Sequence, residues 1–348
     1  MMQKCSLLIL FALLIMAFPT YCQPGWTWQQ LEDMPEPVSN NAVTSGYFGD
    51  TLCVYSFSGI DETLSPSGIH LKSFRYNTET DLWYQLQDVP DTMGFIAAGA
   101  TYLIGKIYLI GGYHVNENFS EVSSNQVHVY DTQNDLWLSD AENIPVAIDD
   151  HVQVLWQDSL IYVVTGWSNN GNVPNVQIFN PELNEWIEGT NVPNSGSWKA
   201  FGASGEIVGN RIYYHGGVNG TFAFNANSRL RAGQIDPENP GIIDWELLED
   251  SPEADGYRSG AAVLNDRLFW IGGAGTAYNF DAMAYDGSGV VNPENRILTY
   301  YSAFDQWENG VESPFQVMDL RGVAKVSENA WIICGGIKED GIVSSRTL

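Results

Sequence analysis

The chain has 348 residues, 15 basic against 42 acidic side chains for a net charge of −27, and a hydrophobic fraction of 44% that includes twelve tryptophans. That composition supports a sizeable buried core and excludes a disordered chain. The acidity excludes nucleic acid and an anionic membrane surface as partners, since phosphates would be repelled.

The first residues, MMQKCSLLILFALLIMAFPTYCQ, place Lys4 ahead of an apolar run from Leu7 to Phe18. Such a run is shorter than the ~20 residues a bilayer-spanning helix needs and suits a secretory leader. Residues 1–22 are therefore expected to be a signal peptide, with a secreted or periplasmic destination. No second apolar stretch follows, so no membrane insertion is expected of residues 23–348. Cys53 and Cys334 remain after removal of the leader; their shared strand parity points to two buried free thiols rather than a disulfide.

From residue 26 the chain repeats itself. The phrase WTWQQLEDMP (26–35) recurs as LWYQLQDVP, and the tryptophans Trp28, Trp83, Trp137, Trp186, Trp245 and Trp307 are spaced by 55, 54, 49, 59 and 62 residues. Between them stands a second phrase: GKIYLIGG (105–112), NRIYYHGG (210–217), DRLFWIGG (266–273) and NAWIICGG (329–336), with weaker copies DTLCVYSFSG (50–59) and DSLIYVVTG (158–166). Tyr76, Tyr130, Phe179 and Tyr300 each precede their tryptophan by seven residues. The segments are short, rich in β-branched and aromatic residues, and bounded by Gly, Asn and Asp, which predicts strands joined by tight turns. No long 3.6-residue period occurs, so helix is expected to be nearly absent.

Four strands in each unit of about 50 residues, with paired glycines and a spaced Tyr and Trp, resemble the kelch repeat of β-propellers. The resemblance covers residues 26–348 and implies an all-β fold, a six-bladed kelch-type β-propeller forming a single domain. The last unit stops at GIVSSRTL without its Trp strand, while the chain begins with one. The N-terminal strand is therefore expected to complete the last blade and so close the ring, removing its exposed edges.

Strand order puts the loops after each Gly-Gly, at 60–70, 113–124, 167–174, 218–228 and 274–295, on one face of the ring. Surplus loop on a rigid scaffold is where binding usually resides. Counting ten residues back from each Gly-Gly strand places Ala42, Ala97, His151, Gly202, Arg258 and Arg321 around the channel mouth. Tyr257, Arg258, Arg321, Trp167 and Trp198 are the candidate ligand-binding residues. The two guanidiniums could clasp a carboxylate, and the rings could stack on a sugar. Tyr113 and Tyr278 are further stacking candidates on this face. His151 and Asp150 are the candidates for proton transfer.

Kelch enzymes of the galactose oxidase type would require a Cys–Tyr crosslink and two histidines on copper. Here both cysteines fall in Gly-Gly strands, and the five histidines suggest no clustered pair. No metal and no cofactor are expected, and the Asp-rich turns such as YDTQNDLW are expected to be hairpins rather than calcium loops. The first reading of function is a secreted binding protein, a monomer, that takes a carbohydrate or a protein on the long-loop face. The alternative is a sugar mutarotase, since the leader, the six repeats and the terminal IICGG…GIVSSRTL are loosely similar to the bacterial N-acetylneuraminate epimerases.

Overall fold

The computed structural model describes residues 25–220, 224–252 and 256–348, and the expected leader lies outside them. The described residues contain no long helix, only 3₁₀ turns at Pro66–Gly68 and Glu339–Gly341. Among them, no helix is long and apolar enough to cross a membrane. The strands fall in the predicted order. The first sheet is β1 (Ala42–Phe48), β2 (Thr51–Ile60), β3 (Ile69–Asn77) and β4 (Leu82–Gln85). The second is β5 (Gly99–Leu103), β6 (Lys106–Ile110), β9 (Val127–Asp131) and β10 (Leu136–Trp137), with a hairpin of β7 (Tyr113–Val115) and β8 (Glu121–Ser123) inserted before β9. The third is β11 (Val152–Trp156), β12 (Leu160–Ser168), β13 (Gly171–Asn180) and β14 (Glu185–Glu188). The fourth is β15 (Phe201–Val208), β16 (Arg211–Val218), β17 (Leu230–Ile235) and β18 (Ile243–Leu247). The fifth is β19 (Gly260–Leu264), β20 (Arg267–Ile271), β21 (Arg296–Tyr301) and β22 (Gln306–Glu312).

This is an all-β propeller, but with five complete four-stranded blades rather than the six expected. Where the sixth was expected stand two short ladders, β23 (Ala324–Ser327) with β24 (Ala330–Ile332), and β25 (Ile337–Lys338) with β26 (Ile342–Val343). The physical reason is register. Leu31 N–H donates to Thr347 C=O at 3.0 Å and Met34 N–H to Ser345 C=O at 2.7 Å. Three residues on the N-terminal segment thus face two on its partner. An extra residue of that kind breaks a regular ladder. Ile333 and Leu348 exchange both of their backbone bonds, so residues 344–348 lie between the N-terminal segment and the segment after β24.

The recurrent phrases are clasps between neighbouring blades. The indole N–H of Trp83 donates to Glu32 C=O at 3.0 Å, and those of Trp137, Trp186, Trp245 and Trp307 reach the carbonyls of Gln87, Glu142, Thr190 and Glu249. Each acceptor lies four or five residues after the preceding tryptophan of the series, so each unit grips the outer strand of the one before. Burying an indole while satisfying its N–H is what makes Trp suitable here. The paired glycines serve a different contact. Gly112 N–H donates to Ile148 C=O at 2.9 Å, with Gly112 at φ +90°, and a Cβ on Gly111 would sit 2.3 Å from the same carbonyl. A side chain on Gly111 would push the next blade away, and one on Gly112 would meet Ile96 C=O at 2.7 Å within its own blade. The Asp-rich turns are hairpins: Tyr76 Oη donates to Asp81 at 2.6 Å and Tyr300 Oη to Asp305 at 3.0 Å, with both aspartates at positive φ. Cys53 and Cys334 are free and buried, and burial pushes the Cys334 thiol up to about 12.

The structure does bring two histidines together, which their positions in the chain did not suggest. His128 Nε2 and His114 Nε2 lie 3.5 and 3.7 Å from Asp91, and His128 Nδ1 lies 2.9 Å from Asp140. Burial works against a charge on His128, but the two carboxylates hold its pKa above the ordinary 6.5. Asp91, despite its own burial, is held below its ordinary 3.8 by His128 and Thr92. A raised base stabilises the fold fully below its unfolded pKa and loses that contribution as pH rises through the folded one; the lowered acid loses its contribution as pH falls. The stability difference between the parent and His128→Asn should therefore be largest between about pH 4 and 6.5 and shrink above that window. Thermal melts across pH check it.

Candidate functional site

The segment leading into each blade carries one residue in the left-handed region: Asn40, Ala97, Asp150, Gly202, Arg258 and Asp319, with φ between +48° and +66°. These turn the backbone toward the axis and link the units by backbone bonds. Asp150 N–H donates to Ala97 C=O (3.1 Å), Gly202 N–H to Asp150 C=O (2.8 Å) and Arg258 N–H to Gly202 C=O (2.8 Å). Leu320 N–H reaches Arg258 C=O at 3.1 Å, and Asn40 N–H reaches Asp319 C=O at 3.3 Å. The mouth is therefore ringed by Asn40, Asp150 and Asp319 where counting back from the glycines gave Ala42, His151 and Arg321. The count slipped because the hairpins differ in length: the β1–β2 ladder has seven pairs where β5–β6 has five, β11 and β12 turn through three residues instead of two, and β23–β24 carries a register shift at Lys325/Ser327.

This correction decides the electrostatics. Arg258, 1% exposed, bonds Asp150 through Nε (3.1 Å) and Nη2 (2.5 Å) and Asp319 through Nη1 (2.9 Å). Burial opposes its charge, but Asp150 foremost holds its pKa well above the usual value. Tyr257 and Tyr278 lie 5.1 and 5.4 Å from the guanidinium and are fully buried; Tyr278 Oη donates to Asp319. Arg321 continues the network: Nη1 lies 3.4 Å from Asp150, and Nη2 donates to His151 C=O at 2.8 Å. Arg258 and Arg321 are thus arranged around the protein's own carboxylates.

Two cavities flank this network. On the short-turn side, the central channel holds a space of about 830 Å³, and His151, Arg321, Glu206 and Lys325 are on its wall. His151 is held by Gln153 at 2.9 Å, and burial drives its pKa down to about 4, so the ring is neutral at pH 7. Burial also moves the Glu206 carboxyl up to about 7.

On the long-loop side lies a smaller pocket of about 60 Å³, lined by Asp150 and Arg258 below and by Tyr113, Glu121, Asp149, Trp167, Phe201, Phe224 and Tyr285. Four of the long loops each supply a wall: Tyr113 and Glu121 from the β7–β8 hairpin, then Trp167, Phe224 and Tyr285. Trp167 stands edge to face on Phe201 at 5.3 Å, as does Phe201 on Phe224 at 5.8 Å, and Phe224 lies tilted against Tyr285 at 4.6 Å. Asp149 and Trp167 exchange two backbone bonds of 2.9 Å, which fixes the carboxylate beside the indole. Asp149 is 4% exposed and accepts from Ser123 Oγ at 2.6 Å. Burial first, and the charge of Asp150 second, raise its pKa well above the carboxylate range.

Of the nine residues singled out in the sequence, Tyr113, Trp167, Asp150 and Arg258 meet at this pocket, and Tyr278 is buried beside the Arg258 guanidinium. Tyr257 lies behind it as a support, His151 and Arg321 face the channel, and Trp198 packs against the core between the third and fourth blades. Asp149, Glu121, Phe224 and Tyr285 complete the site. The only signal for Asp149 was its place beside Asp150 in the run IDDH.

A kelch motif model matches residues 97–140, the second blade and the three residues that follow its Trp137. The solved structure of YjhT superimposes with a TM-score of 0.73 over 91% of this chain and 95% of that one, at 17% identity. The chain is a kelch-repeat β-propeller. Among curated proteins, Kelch-like protein 23 of Pongo abelii is 22% identical over 202 residues, 57% of this propeller and 32% of that protein. Kelch-like protein 36 of Mus musculus is 22% identical over 205 residues, 57% of this propeller and 30% of that protein. The kelch propeller thus spans about a third of the length of the curated relatives it matches.

Proposed function

We propose that this kelch propeller is a secreted or periplasmic carbohydrate-binding protein, and that its ligand docks over the pocket on the long-loop face. The single observation that carries this reading is the pocket itself: aromatic faces and carboxylates converging at the axis, on rigid blades. Aromatic rings take the apolar face of a pyranose while carboxylates accept from its hydroxyls. The pocket is too small for a sugar ring. It takes one substituent, while the ring rests above on Phe224, 36% exposed, and Trp167. A protein partner fits less well, because the concave, charged floor offers little apolar area at its centre. Screening the chain on a glycan array should give a defined set of hits. Trp167→Ala should then weaken the best hit about tenfold by calorimetry, the magnitude of a lost stacking contact. An array without hits, or full affinity in the variant, contradicts the reading.

A mutarotase reading has one observation in its favour. Burial raises the pKa of Asp149 well above the carboxylate range, and a carboxyl that keeps its proton next to a second carboxyl, Asp150, suits proton transfer in opening and reclosing a hemiacetal. Exchange spectroscopy on sugar anomers distinguishes the two: acceleration at catalytic protein concentrations that Asp149→Asn abolishes supports the enzyme.

We also propose that residues 324–348, completed by the N-terminal phrase, act as a sixth blade that closes the ring. Supporting this are the Trp83 clasp onto Glu32, Gly336 N–H on Val38 C=O at 2.9 Å in the way Gly112 contacts Ile148, and the Asn40–Asp319 bond at the mouth.

A further inference from the structure

We propose that the long-loop pocket takes the free ammonium group of an amino sugar, and that it rejects acidic and N-acetylated sugars. This rests on the carbohydrate reading of the same pocket. The charges around it do not cancel. Arg258 and Arg321 together face Asp150 and Asp319, two cations against two carboxylates. Asp149 and Glu121 also line the pocket, and among the described residues neither forms an ion pair with a cationic side chain. The pocket wall therefore carries two surplus acidic groups, and the cation nearest to it is already shared.

A second, independent feature is the state of Asp149. Its side chain is more than nine-tenths buried, and Ser123 Oγ bonds only Oδ2. Among the described residues no hydrogen bond reaches Oδ1, which belongs to a residue on the pocket wall. Oδ1 is therefore the acceptor that this side chain has left to offer a donor arriving in the pocket. Burial first, and the charge of Asp150 second, raise the pKa of Asp149 in the free protein; an arriving ammonium supplies a counter-charge that favours its ionised form.

The walls agree with a cation. Trp167, Phe201, Phe224 and Tyr285 surround the pocket, and aromatic faces attract cations through their quadrupole. The volume narrows the choice. A cavity of about 60 Å³ suits a primary ammonium better than the bulkier trimethylammonium head. A sugar carboxylate there would add a further acidic group to a wall that already holds Asp149, Glu121 and Asp150, with Arg258 already shared, and an N-acetyl group would be both larger and without the charge. The overall charge of −27 adds long-range attraction for a cationic ligand.

Calorimetry of the full chain at low salt with D-glucosamine, N-acetylglucosamine, N-acetylneuraminate and 1,5-diaminopentane tests this. Glucosamine should bind at least about tenfold more tightly than the other three, and Asp149→Asn should weaken it by about tenfold, as for loss of one charge-assisted bond. Glu121→Gln, on the exposed hairpin, provides the same test should the Asp149 variant not fold. Equal or tighter binding of N-acetylglucosamine or N-acetylneuraminate overturns the proposal while leaving the carbohydrate reading standing. Diaminopentane binding as tightly as glucosamine overturns the sugar part of it. If no sugar of any charge binds, the carbohydrate reading itself fails.

Discussion

Arg258→Met should destabilise the protein by about 3–5 kcal/mol, the magnitude for stranding buried carboxylates without their cation. Asp150 and Asp319 are 2% and 1% exposed, and Arg258 supplies three of the hydrogen bonds that hold them. Removing only the guanidinium leaves two acids facing one another at the axis. The combined variant Arg258→Met, Asp150→Asn, Asp319→Asn should recover much of the loss, since replacing a whole buried ion network by neutral groups is often close to neutral. Urea unfolding midpoints measure both. A single variant as stable as the parent would mean that the network is not the structural hub described.

Deleting residues 26–35 is the second large effect. The segment contributes Met34, 3% exposed, and the Trp26 and Trp28 rings, stacked at 5.7 Å and packed against Phe269 and Phe315. It also supplies the backbone acceptor for Trp83. Burial of that many large side chains at roughly 1.5–3 kcal/mol each predicts a loss on the order of 5 kcal/mol. A truncated chain that melts where the parent does would remove the basis for the proposed sixth blade.

How much of this was legible beforehand follows from what each residue contacts. The Trp and Gly-Gly phrases recur because every blade repeats the same clasp, so the strand order, the positions of the long loops and the near absence of helix could be read from spacing alone. The blade count could not. Whether Leu31 and Met34 pair regularly with Thr347 and Ser345 depends on a three-against-two register that no composition reveals. The ring at the mouth was misplaced by one or two residues for a related reason. Counting back assumes hairpins of equal length, and the β1–β2 ladder is two pairs longer than β5–β6, while β11 and β12 turn through three residues instead of two. The count then assigned His151 and Arg321 to a face they do not share with Trp167. Asp149 escaped attention because its significance lies in what it lacks, a cation, and that is visible only once Asp150 is seen to hold Arg258. The pairing of His114 and His128 around Asp91 is likewise made by a hairpin inserted between strands rather than by spacing along one.

The location of the binding site can be tested directly with ¹⁹F NMR on protein labelled with fluorotryptophan, titrated with D-glucosamine. Trp167 lines the proposed pocket, whereas Trp198 and the five indoles bonded to neighbouring carbonyls are engaged in packing. The account predicts that the Trp167 resonance moves with saturation and that the Trp198 and clasp resonances stay where they are. A shift at Trp198 or at the clasps with Trp167 unmoved would contradict it.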